Sequence, residues 1–376
     1  MDMLRKTRAI INLDHIKHNL LAMRESLAPG VQIAGVVKAN AYGHDIDTVT
    51  GVLLANGIEY IAVATLQEAA KLRELYPQAK ILVMGYTPDD HLASGVDLGI
   101  TVTIFTLGQA QILSRRAAAT GRKAIVHIKV DTGFNRLGYR DHRLALAEVC
   151  AMAQLPGLVL EGMFSHFALN SPESDEAQYQ SLMALAAALA EKNVPIPILH
   201  ICDSIGAVAY PQYRQDMVRL GALLYGYCSR PMNFTLRPAL TFRTEVAQVR
   251  TIGPGEGVGY SYHFVAQEET EIATLPVGYA DGLPRNIWQE GYVLIKGQKA
   301  KYAGLPCMDQ CMVDVTGLGI QAGDEAILFG GEGANELHLS NLAQWCDTNR
   351  NEILARISPR VPRVFLQNGD IVKVIQ

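Results

Sequence analysis

A lysine follows directly after a predicted buried strand near the amino terminus. The apolar run 31–37 predicts an interior strand, and Lys38 stands at its carboxyl end, before small and turn-forming residues. A charged ammonium is costly to bury at such a place, so this lysine is either paired or chemically used. A partly desolvated lysine has the lowered pKa that Schiff-base chemistry needs. The alternative interpretation is a lysine whose ammonium extends from the strand end into water.

Other polar residues follow later strands of the same predicted series. They are Lys129, Asp131, Thr132 and Arg136 around the fifth strand, His166 after the sixth, Ser204 after the seventh, and Arg219 in the eighth. In a parallel barrel the working residues lie at the carboxyl ends of the strands. The shared position therefore predicts a single site, although a histidine taken alone is more typical of a hydrogen-bonded core residue.

Small residues next to Ser204 and Arg219 suit a phosphate group. Ser204 with Gly206, and Gly221 with Ala222, combine a hydroxyl with backbone that a ligand can approach closely. Barrels often bind phosphate at the loops after their seventh and eighth strands. Ordinary turn glycines and a capping serine are the alternative, but together with Lys38 the pattern favours phosphate binding.

The elements that must position these residues follow a regular alternation. Eight apolar, β-branched runs are separated by stretches rich in helix-forming residues, which predicts an N-terminal (β/α)8 barrel of the TIM type. The predicted strands are 31–37, 58–64, 80–85, 100–105, 124–130, 158–164, 196–202 and 217–225. The predicted helices include 14–27, 66–75, 107–120 and 176–192.

The pattern changes near residue 230. Strand-like runs then follow with a single short helix, 340–346, which predicts a mostly β C-terminal domain. The predicted strands are 239–252, 271–277, 292–295, 312–315, 325–329 and 363–366. We expect a barrel domain at 1–235 and a second domain at 236–376, with 8–13 as a strand that can join either one.

Composition supports a soluble two-domain protein. The 376 residues are 49% hydrophobic and 19% charged, and a net charge of −4 gives no reason to expect nucleic acid as a partner. The amino terminus has no apolar signal core, and no run is long enough to span a bilayer. Six scattered cysteines without metal-site spacing predict reduced thiols, no metal and a cytoplasmic location.

Several longer motifs resemble the alanine racemase family of pyridoxal-phosphate enzymes, known as fold-type III. The resemblance covers nearly the whole chain and extends from the Val-Lys-Ala-Asn-Ala-Tyr-Gly-His string that begins at Val37 to the Arg-Val-Pro-Arg string that begins at Arg360. Between them lie matching segments at 129–133, 136–138, 164–168, 278–282 and 307–310. A racemase of this family interconverts L- and D-alanine and supplies D-alanine for peptidoglycan.

The resemblance implies roles for individual residues. Lys38 carries pyridoxal 5′-phosphate covalently and is one of two acid/base groups, with Tyr260 as the other. Tyr42 and Ser204 match phosphate ligands, and His166 matches the residue beside the cofactor ring. Two groups are needed because racemisation removes a proton from one face of Cα and returns one to the other.

Three basic residues complete the implied site. Arg219 faces the pyridine nitrogen of the cofactor. Because a guanidinium can only donate hydrogen bonds, that nitrogen stays unprotonated, and the resemblance implies that side reactions are thereby limited. Arg136 orients the substrate carboxylate, and Lys129 matches a lysine that is often carbamylated. With His166, Arg219 and His200 are candidates for the network that a tyrosine base needs.

The resemblance further implies a homodimer with shared active sites. Tyr260, Tyr279, Met308 and Asp309 then line the site of the partner subunit. For Tyr279 and Met308, packing within the β domain is a serious alternative.

Two positions depart from the family pattern. Phe134-Asn135 replaces a common Met-Gly, and Pro359 stands after Ser358 where a typical member has a tyrosine that contacts phosphate. We expect the loss of that phenol to open space near the substrate side chain. A pocket that fits alanine rejects one extra hydroxyl poorly, so a serine or serine/alanine racemase of the glycopeptide-resistance type is the first alternative. Those relatives usually carry a membrane domain, which this chain lacks.

Three further classes are open. A pyridoxal-phosphate decarboxylase shares the barrel-plus-β plan, but it is expected to have a glycine-rich phosphate loop and a carboxylate where Arg219 stands. A non-catalytic cofactor-binding barrel lacks the β domain and Tyr260. A broad-specificity racemase is harder to separate, although Leu137 after Arg136 is typical of the narrower enzymes.

Overall fold

The structure, a computed structural model, describes residues 4–376, and its first domain is a parallel barrel. Within these residues the first seven of eight parallel strands each pair with the next in the chain, and the eighth pairs back to the first. They are β2 (Gln32–Val36), β3 (Tyr60–Val63), β4 (Lys80–Val83), β5 (Thr101–Ile104), β6 (Ala124–Lys129), β7 (Leu158–Phe164), β8 (Ile198–His200) and β9 (Met217–Leu220). A backbone bond of 3.0 Å from Arg219 N to Cys202 O links the ends of β8 and β9 and closes the ring. The predicted barrel is confirmed.

Helical segments alternate with these strands along the chain. They are α1 (Leu13–Glu25), α2 (Lys38–Tyr42), α3 (Ile46–Ala55), α4 (Leu66–Leu75), α5 (Leu92–Asp97), α6 (Leu107–Thr120), α7 (His142–Met152), α8 (Pro172–Glu191) and α9 (Ser204–Ala209). Local signals fix their starts: Thr65 and Glu68 form a capping box at α4, and Ser171 caps α8 with Pro172 in its first turn. Helix α8 therefore begins four residues before the predicted 176.

The C-terminal domain is mostly β, as predicted. A seven-stranded sheet has the order β16-β15-β18-β10-β1-β19-β20. These strands are β1 (Arg8–Asn12), β10 (Leu240–Glu245), β15 (Tyr292–Ile295), β16 (Gln298–Lys301), β18 (Glu325–Phe329), β19 (Arg363–Gln367) and β20 (Asp370–Ile375). Strand β1 pairs with β10 and β19, so the amino-terminal strand lies in the sheet of the second domain. The boundary at 235/236 falls between β9 and β10 and stays a prediction.

Smaller elements complete this domain. A three-stranded sheet contains β11 (Gln248–Ile252), β14 (Thr270–Leu275) and β17 (Cys311–Asp314), and a hairpin contains β12 (Gly257–Val258) and β13 (Phe264–Val265). The helices are α10 (Leu339–Trp345) and α11 (Arg350–Ala355), with short 3₁₀ turns at Tyr260–Tyr262, Tyr279–Asp281, Arg285–Gln289 and Gly333–Asn335; a further 3₁₀ turn, Pro211–Tyr213, lies in the barrel between α9 and β9. No helix in residues 4–376 is long and apolar enough to cross a membrane.

Two predictions for this domain were wrong. The run 239–252 is not one strand, because Val246 N donates to Asp324 O and Ala247 N donates to Thr274 O, which divides the run between two sheets. Strand β10 lies in the large sheet and β11 in the small one. The predicted single helix is followed by a second, α11, and this second helix reaches the candidate site.

Candidate active site

A cavity of about 550 Å³ opens at the carboxyl ends of the barrel strands. It brings together most residues that the sequence predicted for one site: Lys38, Tyr42, Lys129, Arg136, His166, Ser204, Arg219, Gly221 and Ala222. Among its described lining residues, two lysines and two arginines face a single carboxylate, that of Asp203. An excess of basic side chains around a volume of this size suits a small anionic ligand.

The short segment α2, which carries Lys38, is a left-handed turn rather than a right-handed α-helix. Residues 39–42 all have φ between 52° and 54°, and this conformation is costly for residues other than glycine. Side-chain bonds hold the turn at both ends: Glu68 Oε1 accepts from Ala39 N at 2.7 Å, and Asn40 Oδ1 accepts from Ile46 N at 2.9 Å. Strain held in this way is typical of functional sites.

Tyr42 and Ser204 present hydroxyls at one end of the cavity. Ser204 Oγ accepts from Gly221 N at 2.9 Å, so its own hydrogen is free to donate into the cavity. A Cβ on Gly221 would lie 2.6 Å from the Tyr42 hydroxyl oxygen, so only glycine leaves room for that phenol. Burial raises the pKa of Tyr42 to about 12, which keeps its hydroxyl a donor at neutral pH.

The two lysines in the cavity are held towards their neutral forms. Burial lowers the pKa of Lys38, and the charges of Arg136 and Arg219 lower it further. The pKa of Lys129 falls to about 7, first through burial and then through Arg219. A neutral amine is the nucleophilic form, so both lysines are prepared for bond formation at carbon.

The Arg219 side chain donates hydrogen bonds on several sides. Its guanidinium donates to His200 Nδ1 at 2.9 Å, to His166 Nδ1 at 3.1 Å and to Ile201 O at 2.8 Å. Burial lowers its pKa to about 10, which leaves it charged at neutral pH. Burial and then Arg219 lower the pKa of His166 to about 2, so this imidazole is neutral and keeps its proton on Nε2.

The loop after β6 fixes Arg136. The Asp131 carboxylate accepts from the backbone N–H groups of Gly133 (3.0 Å), Asn135 (2.9 Å) and Arg136 (2.8 Å). The Phe134 ring lies under the Arg136 guanidinium at 4.3 Å, and Asn135 takes the left-handed φ of 59° that asparagine tolerates. Phe134 and Asn135, which depart from the family pattern, therefore hold Arg136 in place.

Four predicted site residues lie outside this cavity. Tyr260, Tyr279 and Met308 are 66%, 42% and 53% exposed, and the side chain of Asp309 is 60% exposed. The loops that carry Tyr279, Met308 and Asp309 are bonded to one another. Tyr279 N donates to Cys307 O. The Arg360 guanidinium contacts the carboxylates of Asp281 at 2.7 Å and Asp309 at 2.8 Å. The exposed side chains of Tyr279 and Met308 argue against a role in the packed core of the β domain.

The effect of Pro359 on the substrate pocket stays a prediction. Pro359 is exposed and does not line the cavity, whereas Asn351, on α11, does. Sequence reasoning missed Asn351 because it assigned neither a helix nor a strand between residues 346 and 363. The signal was present, since Asn349 caps α11 by accepting from Glu352 N at 3.0 Å, a pattern that begins many helices.

No metal centre accompanies the cavity in the part of the chain that the structure describes. Among residues 4–376, no group of three or more His, Cys, Asp and Glu side chains is placed to hold a metal ion. All six cysteines are free thiols.

Comparison with known proteins gives consistent matches along the chain. Residues 11–229 match the family model "Alanine racemase, N-terminal domain", and residues 239–365 match "Alanine racemase, C-terminal domain". A protein named alanine racemase 2 from Caldanaerobacter subterraneus subsp. tengcongensis is 38% identical, over 99% of this chain and 98% of its own. An alanine racemase from Desulforamulus reducens is 36% identical, over 95% and 98%. The solved alanine racemase of Clostridium difficile is 35% identical and superposes with a TM-score of 0.94 over 99% of each chain.

Proposed function

Because this chain belongs to the alanine racemase family, we propose that it interconverts L- and D-alanine with pyridoxal 5′-phosphate as cofactor. The product D-alanine then serves the synthesis of cell-wall peptide. The observation that carries the proposal is the cavity in which Lys38, Arg136 and Arg219 meet above the barrel. The cytoplasmic location stays a prediction.

The residues of the cavity fit the cofactor. Tyr42 and Ser204 offer hydroxyl donors at the end where Gly221 and Ala222 bring backbone close, which suits a phosphate group, and Lys38 holds the cofactor covalently. When bound, pyridoxal phosphate supplies an electron sink that acidifies the hydrogen on the substrate Cα. Arg219 would face the ring nitrogen and, since a guanidinium only donates hydrogen bonds, would leave that nitrogen without a proton.

Lys38 and Tyr260 are the two groups that move the proton. The neutral amine of Lys38 exchanges it on one face of Cα, helped by a lowered pKa. On the other face we place Tyr260 from a second copy of the chain. The exposure of Tyr260, Tyr279 and Met308, outside their own chain's cavity, supports a homodimer in which each subunit completes the site of its partner.

Arg136 is placed to bind the substrate carboxylate, and Lys129 lines the same cavity. The planar guanidinium of Arg136, fixed by Phe134 and the Asp131 loop, is suited to a carboxylate. Lys129 is the candidate for carbamylation, because its lowered pKa makes the neutral amine available to carbon dioxide near pH 7.

Serine is the second candidate substrate. Asn351 places a carboxamide on the cavity wall, and a carboxamide both donates to and accepts from a hydroxyl. A site that bonds a hydroxyl favours the substrate that carries it.

The test compares racemisation of L-alanine and L-serine by the purified, cofactor-loaded protein, with Lys38→Ala as the blank. Turnover of alanine well above the blank supports the proposed function, and alanine turnover equal to the blank contradicts it. If serine is the better substrate, Asn351→Leu is expected to lower its kcat/KM about tenfold and to leave that of alanine within threefold. Asn170→Leu, the same substitution at an exposed position outside the cavity, is the matched control.

A further inference from the structure

A chain of hydrogen bonds runs from Arg219 through the barrel interior, away from the cavity. Arg219 Nη1 contacts His200 Nδ1 at 2.9 Å, and His200 Nε2 contacts His127 Nδ1 at 2.9 Å. His127 Nε2 in turn contacts Glu161 Oε2 at 3.2 Å. Both histidines are fully buried and Arg219 is 4% exposed, whereas the Glu161 side chain is 22% exposed.

Arg219 and Glu161, at the two ends of this hydrogen-bonded series, determine which atom donates and which accepts in each of its bonds. Arginine only donates, so His200 Nδ1 must accept and the His200 proton must lie on Nε2. That proton points at His127 Nδ1, which must then accept, so the His127 proton lies on Nε2 and is donated to Glu161. The ionised carboxylate only accepts and ends the series. A proton on Nδ1 of either imidazole would place two donors face to face.

Glu161 is an ionised carboxylate. Burial alone would raise its pKa, but the hydrogen bonds from His127 and Tyr60, with the charge of Lys80 nearby, hold the pKa of Glu161 below its ordinary value. Tyr60 on β3 and His127 on β6 have ring centroids 6.4 Å apart although two strands separate β3 from β6. These side chains therefore meet across the interior of the barrel.

The backbone is shaped to make this contact. The pairing of β6 with β7 shifts register between Val126 and His127, which pair with Leu160 and Gly162, so Glu161 is an extra, bulged residue. Bulges of this kind re-aim a side chain. A Cβ on Gly162 would lie 2.5 Å from His127 Cε1, so the glycine leaves the space that the imidazole fills. The Phe164 ring stacks on His200 with centroids 4.7 Å apart and holds its plane.

We propose that Glu161 and His127 are positioning residues, which fix the tautomer of His200 and thereby hold the Arg219 guanidinium at the cofactor. The inference rests on the proposed function for its catalytic consequence. Neither residue lines the cavity, so both act through Arg219.

The first test reads the tautomers directly. Nitrogen-15 NMR of protein labelled at its histidines is expected to show His127 and His200 each with a proton on Nε2 and a bare Nδ1. A proton on Nδ1 of either residue in the unaltered protein overturns the proposal. This measurement needs no turnover, so failure of the proposed racemase activity would leave it intact and be recognised separately.

The second test removes the final acceptor. Glu161→Leu is expected to give mixed tautomers at His127 and His200 and to lower kcat about tenfold, with KM for alanine changed less than twofold. Glu161→Gln keeps an acceptor oxygen in the same place and is expected to restore kcat to within threefold. Glu59→Leu, which breaks an exposed contact with Lys80 at 3.1 Å, is the matched control. Equal kcat in Glu161→Leu and Glu59→Leu, or unchanged tautomers in Glu161→Leu, would overturn the proposal.

Discussion

Lys38 and Tyr42 stand at the two ends of one left-handed turn, and both side chains line the same cavity. The turn separates the Lys38 amine from the Tyr42 phenol, so that the two groups reach different parts of the proposed cofactor site. The energy stored in its backbone is offset by the bonds from Glu68 and Asn40 and by the packing of Ala41 in the core.

The strain in this turn predicts a large cost for a β-branched side chain at Ala39. Ala39 is exposed and has φ of 52°, so Ala39→Val is expected to lower the free energy of unfolding by about 2 kcal/mol through backbone conformation alone. Ala118→Val on the exposed face of α6 is the control and should cost about 0.5 kcal/mol. Urea unfolding of the cofactor-free protein measures both, and equal costs would mean that the turn is not strained.

Gly221 is predicted to be required for cofactor binding. Gly221→Ala would drive the new Cβ against the Tyr42 hydroxyl, and we expect the Kd for pyridoxal phosphate to rise at least tenfold. Gly108→Ala, where the nearest atom lies at 3.9 Å on an exposed helix turn, should leave that Kd unchanged. Titration followed by cofactor absorbance compares the two, and an unaffected Kd in Gly221→Ala would place the phosphate elsewhere.

Lys129 is predicted to be carbamylated above neutral pH. Because its pKa is about 7, the fraction of neutral amine rises as pH rises through 7, and carbamate formation rises with it. Carbon-13 NMR in ¹³C-bicarbonate should show a carbamate signal at pH 8 that weakens at pH 6 and is absent from Lys129→Ala. A signal that Lys129→Ala retains would assign the modification to another amine.

His44 is predicted to make the fold sensitive to acid. Burial lowers its pKa to about 4, whereas the unfolded chain takes up that proton near pH 6.5. The unfolded state therefore binds more protons between these values, and stability falls as pH falls from 6.5 towards 4. Between pH 7 and pH 5 this group alone removes roughly 2 kcal/mol.

The control for that prediction is His44→Gln, which cannot take up the proton. Its urea-derived free energy of unfolding should fall by roughly 2 kcal/mol less than that of the unaltered protein over the same pH interval. An identical fall in both proteins would assign the acid sensitivity to other groups.

Sequence reasoning found the barrel and most of the cavity because both follow local rules. Strand and helix periods alternate clearly up to residue 225, and a parallel barrel places its strand ends together whatever the side chains are. The sequence therefore predicts that Lys38, His166 and Arg219 meet at one site.

The remaining features depend on contacts between distant parts of the chain. Asn351 reaches the cavity through the packing of the second domain on the barrel, which no local pattern reports. The bulge at Glu161 is likewise invisible in the sequence, because it is defined only by the register between β6 and β7. The positive φ of residues 39–42 contradicts local preference and is stabilised by Glu68 from another helix.

The central claim is that Lys38 and Tyr260 act on one substrate from two subunits. Lys38→Ala and Tyr260→Phe should each be nearly inactive alone, but dimers that contain one subunit of each kind hold one site with both native residues. After unfolding and refolding the two variants together with cofactor, about a quarter of the native activity is predicted, since half of the dimers are mixed and one of their two sites is intact. Co-refolded protein that stays as inactive as either variant alone would contradict a site shared in this way.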